Sequence, residues 1–198
     1  MRIKNIYLIL MLSLVVGHLE AQTFRGGVVL GANASQINGD LIAGFNKIGL
    51  HLGLKVVSDI TDKIAWSTEL LYSERGSHTQ AKFSDPFTIS INYVEIPLLI
   101  SFKDWQQEDY YKMHFEAGAS LGRIIDQKVK DIGGNTDIDG LNETDLSAIV
   151  GATLYSNDHL GFSARYTHSI NLLRDERKHP GLSRFRGYFL TFRVLYLF

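Results

Sequence analysis

The sequence GYFLTFRVLYLF, from Gly187 to Phe198, alternates between two kinds of side chain. From Tyr188 onward every second residue is apolar or aromatic, and Arg193 falls among the intervening positions. Successive residues of a β-strand point to opposite faces of a sheet, so this period of two predicts a strand with one oily face and one charged face. An exposed oily strand promotes aggregation in water, and we therefore expect something to cover it.

Seven segments upstream show the same alternation and are also predicted to be strands. They cover residues 24–33, 47–56, 64–73, 93–102, 111–122, 147–154 and 160–167. Long and short intervals between the segments alternate along the chain. The long intervals are 37–46, 76–87, 126–143 and 171–186, and the short ones are 58–63, 103–109 and 156–159. Outer-membrane barrels have this rhythm of long extracellular loops and short periplasmic turns. The pattern predicts an all-β fold, an eight-stranded antiparallel up-and-down transmembrane β-barrel.

The glycines indicate which face of this barrel is inside. Gly31, Gly53, Gly118 and Gly151, among others, share the polar face of their segments. Glycine weakens a strand, but the crowded interior of a small barrel needs small residues. We therefore predict that the polar face lines the lumen and that lipid covers the oily face. The alternative is a soluble ligand-binding barrel, in which the glycine-rich face is wet.

Charged residues on the predicted inner face are close to balance. Because buried charges persist when they are paired, we expect them to form one network in the lumen. The alternative is that they are solvated surface charges. The predicted network comprises Arg25, Lys55, Glu69, Glu95, Glu116, Arg165 and Arg193.

The beginning of the chain predicts export. Arg2 and Lys4 precede an apolar run from Ile6 to Val16 that is too short to span a bilayer as a helix, and Ala21 fits a cleavage site. We expect residues 1–21 to be a signal peptide and residues 22–198 to form one barrel domain. The chain has no cysteine, which excludes a disulfide scaffold, and its formal charge of −1 gives no reason to expect a nucleic-acid partner.

Six segments, in their order, resemble the PorT-like outer-membrane β-barrel proteins of the Bacteroidetes. These segments are GVVLGANASQING, IGLHLGLKV, STELLYSERG, NYVEIPLLISF, FEAGASLG and FSARYTHSINLL. The resemblance covers nearly all of the chain after the signal peptide, and YVEIPLL, from Tyr93 to Leu99, is its most specific part. It implies an eight-stranded barrel in the outer membrane of a Gram-negative bacterium, in contact with lipid and lipopolysaccharide. One branch of the family is associated with protein secretion, so secretion-system proteins are an alternative set of partners.

The last segment also resembles the signal that the outer-membrane assembly machinery reads. That signal is a final aromatic residue with hydrophobic residues at every second position before it. The residues that fit it are Leu190, Phe192, Val194, Tyr196 and Phe198.

Two features raise the question of catalytic or metal chemistry. His168 and Ser169 invite comparison with barrels that hydrolyse lipid acyl chains, but adjacent strand residues point to opposite faces and cannot form one hydrogen-bonded pair. The stretch NTDIDG, from Asn135 to Gly140, has oxygen ligands near Asp131, but a calcium loop would need an acid where the chain has Leu146. We predict no metal site and no cofactor.

The interval between the last two segments is rich in basic residues. On the outer surface such a cluster suits the phosphate groups of lipopolysaccharide, although charges also simply keep a loop soluble. The candidate contacts are Arg174, Arg177, Lys178, Arg184 and Arg186.

The sequence as a whole favours a monomeric, non-enzymatic barrel that acts through its extracellular loops in envelope structure or interaction. Two alternatives remain open at this point. One is a component of a secretion apparatus, and the other is an outer-membrane hydrolase that modifies lipid A.

Overall fold

The computed structural model describes residues 24–38, 47–78, 88–131, 134–136, 142–171 and 186–198. They form β1 (Phe24–Asn38), β2 (Lys47–Asp59), β3 (Ile64–His78), β4 (Thr88–Gln106), β5 (Tyr111–Asp131), β6 (Gly134–Thr136), β7 (Thr144–Tyr155), β8 (Leu160–Ser169) and β9 (Arg186–Leu197). Within these ranges there is no helix long and apolar enough to cross a membrane. The predicted signal peptide, residues 1–21, lies outside them.

Eight of these strands close into a barrel, and β6 is a short addition to the far end of β5. The sheet runs in the order β4, β3, β2, β1, β9, β8, β7, β5, and β5 pairs back to β4. The first and last strands meet in antiparallel register from Gly27 opposite Leu197 to Asn38 opposite Arg186. A closed sheet leaves no unpaired edge in the bilayer. The predicted eight-stranded antiparallel barrel is confirmed.

The short turns lie where the alternation predicts them, but several strands run further than expected, and β4 and β5 show the largest extension. β4 has 19 residues and β5 has 21, so their hairpin extends well into the predicted loop 126–143. Thr88 pairs with Lys130 at its outer end, and the register shifts once, between Asn92 and Tyr93. Beyond the membrane neither face of a strand needs to be oily. The period-two signal therefore ends before the strand does.

Burial alternates along the strands as the sequence predicts. Outward side chains such as Leu30, Leu98 and Phe192 are 60–61% exposed and are aliphatic or aromatic. Inward positions are buried and mostly polar, with Glu69 only 3% exposed. Lipid therefore contacts the oily face, and the lumen is lined by the polar face.

The lumen is not polar throughout, and this was not predicted. At the end with the short turns, a cluster of apolar side chains fills it: Val29, Val57, Ala65, Tyr155, Leu195 and Leu197. We call this the apolar plug. Side chains packed together here leave little space for water.

Candidate functional site in the barrel lumen

Five charged residues from five strands meet in the middle of the lumen. We call Lys55, Glu69, Glu116, Arg165 and Arg193 the central cluster. Arg165 lies at its centre, where its Nη1 and Nη2 donate to the two carboxylate oxygens of Glu69, both at 2.8 Å. Its Nε and Nη2 also donate to Glu116 Oε2, at 3.0 and 2.8 Å. A planar guanidinium suits such paired contacts, so Arg165 ties β8 to β3 and β5.

The other two cations contact the same carboxylates. Lys55 Nζ lies 3.2 Å from Glu69 Oε1 and 3.0 Å from Glu116 Oε1. Arg193 Nη1 donates to Glu69 Oε2 at 2.8 Å, and its Nη2 lies 3.4 Å from Glu116 Oε2. All five side chains are at most 3% exposed. Three cations share two carboxylates, so this cluster carries one excess positive charge.

Two glycines make room for the arginines of the central cluster. Gly31 is opposite Arg193 on the neighbouring strand, and Gly151 is opposite Arg165. A Cβ on Gly31 would lie 2.3 Å from the Phe192 carbonyl oxygen and 2.5 Å from Arg193 Cβ. A Cβ on Gly151 would lie 2.6 Å from Arg165 Cγ and 2.7 Å from the Ala164 carbonyl oxygen. All four distances are too short for a Cβ atom. These two glycines on the polar face are therefore required by space.

A second ion cluster lies in the lumen on the side of the long loops. Arg75 Nη2 contacts Glu95 Oε1 at 2.5 Å, and its Nη1 donates to Asp145 Oδ2 at 2.8 Å. The guanidinium lies over the rings of Tyr93 and Phe189, 4.6 and 3.7 Å from their centroids. Cation–π contacts of a desolvated arginine add to the ion pairs. With one cation and two carboxylates, this upper cluster has the opposite excess charge to the central one.

The structure divides the predicted lumen network differently from the sequence expectation. Lys55, Glu69, Glu116, Arg165 and Arg193 come together, but Glu95 belongs to the upper cluster. Arg25 lies near the short turns, where its Nη1 contacts Asp158 Oδ1 at 2.9 Å. Position on the same face does not imply the same depth, and Arg25 is too near the beginning of its strand to reach the glutamates.

Sequence reasoning missed Arg75 and Asp145 although a signal for both was present. Arg75 continues the alternation of Glu69 and Ser73 by one more step, and Asp145 does the same for Ser147. Both lie where β3 and β7 run beyond their predicted ends. Extending each strand by one repeat finds them.

The residues considered for catalysis do not form a site. Ser169 is fully buried on the inner face of β8, whereas His168 lies on the outer face between Tyr166 and Tyr188, with ring centroids 6.4 and 6.5 Å away. The described ranges contain no group of three or more potential metal-ligating side chains. Of the NTDIDG stretch, only Asn135 and Thr136 lie within those ranges, in β6.

The remaining candidate residues are found at the barrel ends. Phe192, Val194, Tyr196 and Phe198 of the assembly signal face outward and are 42–68% exposed, and Leu190 is half-buried. Arg186 begins β9 and pairs with Asn38 through its backbone. Arg174, Arg177, Lys178 and Arg184 lie outside the described residues.

Residues 20–174 match the family model of the outer membrane protein β-barrel domain. The chain belongs to this family. Membership of this family accounts for the closed sheet, the oily outer face and the charged lumen together. It also implies that the protein is located in the outer membrane. No curated protein matches the chain significantly.

Two solved outer-membrane proteins have a similar fold. Ail, the attachment invasion locus protein of Yersinia pestis, solved in complex with the heparin analogue sucrose octasulfate, is 13% identical, with a TM-score of 0.50 over 88% of this chain and 99% of its own. Neisserial surface protein A is 11% identical, with a TM-score of 0.53 over 88% of this chain and 97% of its own. At these identities the similarity establishes the barrel architecture alone.

Proposed function

We propose that this outer-membrane β-barrel protein is a non-enzymatic, monomeric membrane anchor that acts through its extracellular loops. The observation that carries the proposal is the filled lumen. The central cluster and the apolar plug occupy successive depths of the barrel, and their side chains are at most 7% exposed. Within the described residues these side chains leave no open path to the buried carboxylates, which supports neither a pore nor a catalytic cleft in the lumen.

The lumen contacts serve the barrel itself. Each carboxylate of the central cluster joins β2, β8 and β9, and Arg75 joins β3 to β4 and β7. These contacts lie within the described strands, and surface loops generally tolerate more variation than the elements they connect. Function in such a protein belongs to the surfaces outside the membrane.

The partner that suits the longest basic stretch is the phosphorylated sugar surface of lipopolysaccharide. Between β8 and β9 the sequence has four of these basic residues against Asp175 and Glu176, and Arg186 begins β9. Arginine pairs with phosphate through two parallel hydrogen bonds, which favours binding of such headgroups over neutral lipid. The basic residues are Arg174, Arg177, Lys178, Arg184 and Arg186.

A vesicle-binding experiment tests this partner. The full chain, folded in detergent, is titrated with purified lipopolysaccharide and with vesicles of neutral phosphatidylcholine. We expect saturable binding to lipopolysaccharide, at least tenfold weaker when Arg174, Arg177, Lys178 and Arg184 are all replaced by glutamine. The control variant replaces Lys63 and Lys112, near the short turns, by glutamine. It should bind lipopolysaccharide as the natural chain does. Equal loss in both variants would contradict the proposal.

A crosslinking experiment separates this function from a role in secretion. Cells that carry the tagged full chain are treated with a membrane-permeable crosslinker, and the purified complexes are identified by mass spectrometry. A loop-acting monomer should bring down no stoichiometric envelope protein. Recovery of secretion proteins in a fixed ratio would favour the secretion apparatus, and altered lipid A acylation in a deletion strain would favour a hydrolase.

A further inference from the structure

A recess of about 540 Å³ opens at the periplasmic mouth of the barrel, the end with the short turns. Its wall comes from the turns after β2, β4 and β7, and Tyr155 of the apolar plug also borders it. Its volume falls in the range typical of small-molecule sites, roughly 300–1,000 Å³. The recess is separate from the extracellular loops on which the proposed function rests.

Acidic side chains dominate the lining of the recess. Four aspartates face two basic residues, and each basic residue already has a partner: Arg25 pairs with Asp158 at 2.9 Å, and Lys103 Nζ pairs with Asp59 Oδ1 at 2.7 Å. The other two aspartates, Asp62 and Asp109, make no ion pair with any residue that the structure describes. Two carboxylate charges at this mouth are therefore not neutralised.

A buried phenol also lines the recess. Tyr155 is only 5% exposed, and its ring packs against His114 with 4.5 Å between the centroids. Its hydroxyl group makes no hydrogen bond with the described part of the chain, in contrast to Tyr110, whose hydroxyl donates to the Ser156 carbonyl at 3.0 Å. The oxygen itself is not among the polar atoms shut off from solvent, so it is free to accept a hydrogen bond from a molecule in the recess.

We propose that this recess binds a small periplasmic ligand that carries ammonium groups. The carboxylates of Asp62 and Asp109 would accept charge-assisted hydrogen bonds from the ammonium groups, and the Tyr155 hydroxyl would accept a further one. Arg25 and Lys103 do not oppose this, since Asp158 and Asp59 hold and neutralise them. Attraction between these charges weakens as salt is added, so the affinity should fall with ionic strength.

A titration of the folded full chain in lipid nanodiscs tests the proposal, with spermidine as the probe. We expect saturable binding that weakens at least tenfold in the variant Asp62→Asn/Asp109→Asn. Tyr155→Phe keeps the ring against His114 and should weaken binding several-fold. The matched control, Asp126→Asn/Glu143→Gln, removes two carboxylates near the long loops and should bind spermidine as the natural chain does.

The outcomes separate a site from general attraction of cations to the protein. Sulfate, an anionic probe, should give no saturable signal. Binding of spermidine that never saturates, or that weakens equally in the Asp62/Asp109 and Asp126/Glu143 variants, would overturn the proposal. Gel mobility with and without boiling confirms that each variant is folded before its titration is interpreted.

Discussion

Glu69 and Glu116 each contact the same three cations, which makes a carboxylate of the central cluster harder to replace than a cation. Glu69→Gln leaves three cations with one carboxylate, whereas Arg193→Met leaves two cations with two carboxylates. Breaking a buried ion pair costs about 3–5 kcal/mol, and losing hydrogen bonds to a charged group costs about 1.5–3 kcal/mol. We expect Glu69→Gln to lower the free energy of unfolding by the larger amount and Arg193→Met by the smaller.

Urea unfolding of the protein in lipid vesicles, followed by tryptophan fluorescence, measures both changes. Glu143→Gln is the control, because Glu143 forms an exposed pair with Arg123 and should cost less than about 1 kcal/mol. A larger loss for Arg193→Met than for Glu69→Gln would show that the excess positive charge of the cluster is not what determines its stability.

The space beside the arginines gives a second test at single residues. A methyl group on Gly31 or Gly151 would overlap the side chain of Arg193 or Arg165, and we expect each Gly→Ala variant to lose about 1–3 kcal/mol of stability. Gly122 also faces the lumen, but a Cβ there would meet its nearest neighbour, Tyr93, at 3.4 Å. Gly122→Ala should therefore change the urea midpoint little. Equal losses at all three positions would show that overlap at Gly31 and Gly151 is not the cause.

At this scale the sequence predicts which face a residue occupies but not its partner. The parity of the alternation places Glu69, Glu95 and Arg193 in the lumen. Which of them meet depends on the stagger between strands, and stagger is set when the barrel closes. This is why Glu95 pairs with Arg75 rather than with the residues of the central cluster.

Among the elements, β9 combines a structural role with the predicted assembly signal. The Phe198 amide donates to the Gly26 carbonyl at 2.8 Å, which continues the β1–β9 seam one residue beyond β9. The Phe198 side chain is 68% exposed, and its ring meets that of Tyr196 edge-on, with 5.9 Å between centroids. Its exposure suits recognition by another protein before lipid covers it.

Phe198→Ala and Phe24→Ala together test this role. Phe24 lies near the same seam, is 56% exposed and packs against Trp66, so each substitution removes a lipid-facing aromatic ring. We expect similar urea midpoints for the two variants after refolding in vesicles. In cells, only Phe198→Ala should reduce the amount of folded barrel several-fold, measured as the heat-sensitive band on gels. A similar reduction for Phe24→Ala would argue against a terminal signal.

The strands themselves were predictable within the membrane and less so outside it. Lipid on one side and a packed lumen on the other impose the period of two on segments such as 47–56 and 160–167. The outer ends of β4 and β5 project beyond this constraint, where residues such as Lys128 and Asp126 contact each other in water at 3.2 Å. Alternation therefore identifies the strands but not how far they extend.

On the scale of the whole molecule, the two ion clusters compensate each other. The central cluster has one excess cation and the upper cluster one excess carboxylate, so the four cations and four carboxylates of the two clusters balance. A net charge in a medium of low dielectric constant is costly, and balance across the lumen removes that cost. The paired side chains also fill this part of the lumen and obstruct the passage of ions.

The apolar plug and the central cluster obstruct the lumen in series, so opening one should not produce a channel. We expect no stepwise conductance from the full chain in planar bilayers with 1 M KCl. At this salt concentration the Debye length is about 3 Å, so exposed charges are screened while buried ion pairs stay intact. Leu195→Ala/Leu197→Ala should open a cavity in the plug without producing conductance, because the ion pairs of Arg165 with Glu69 and Glu116 persist above it. A large porin in the same bilayers shows that channels are detectable. Regular current steps from the natural chain would mean that the lumen opens, and its side chains would then line a path for solutes.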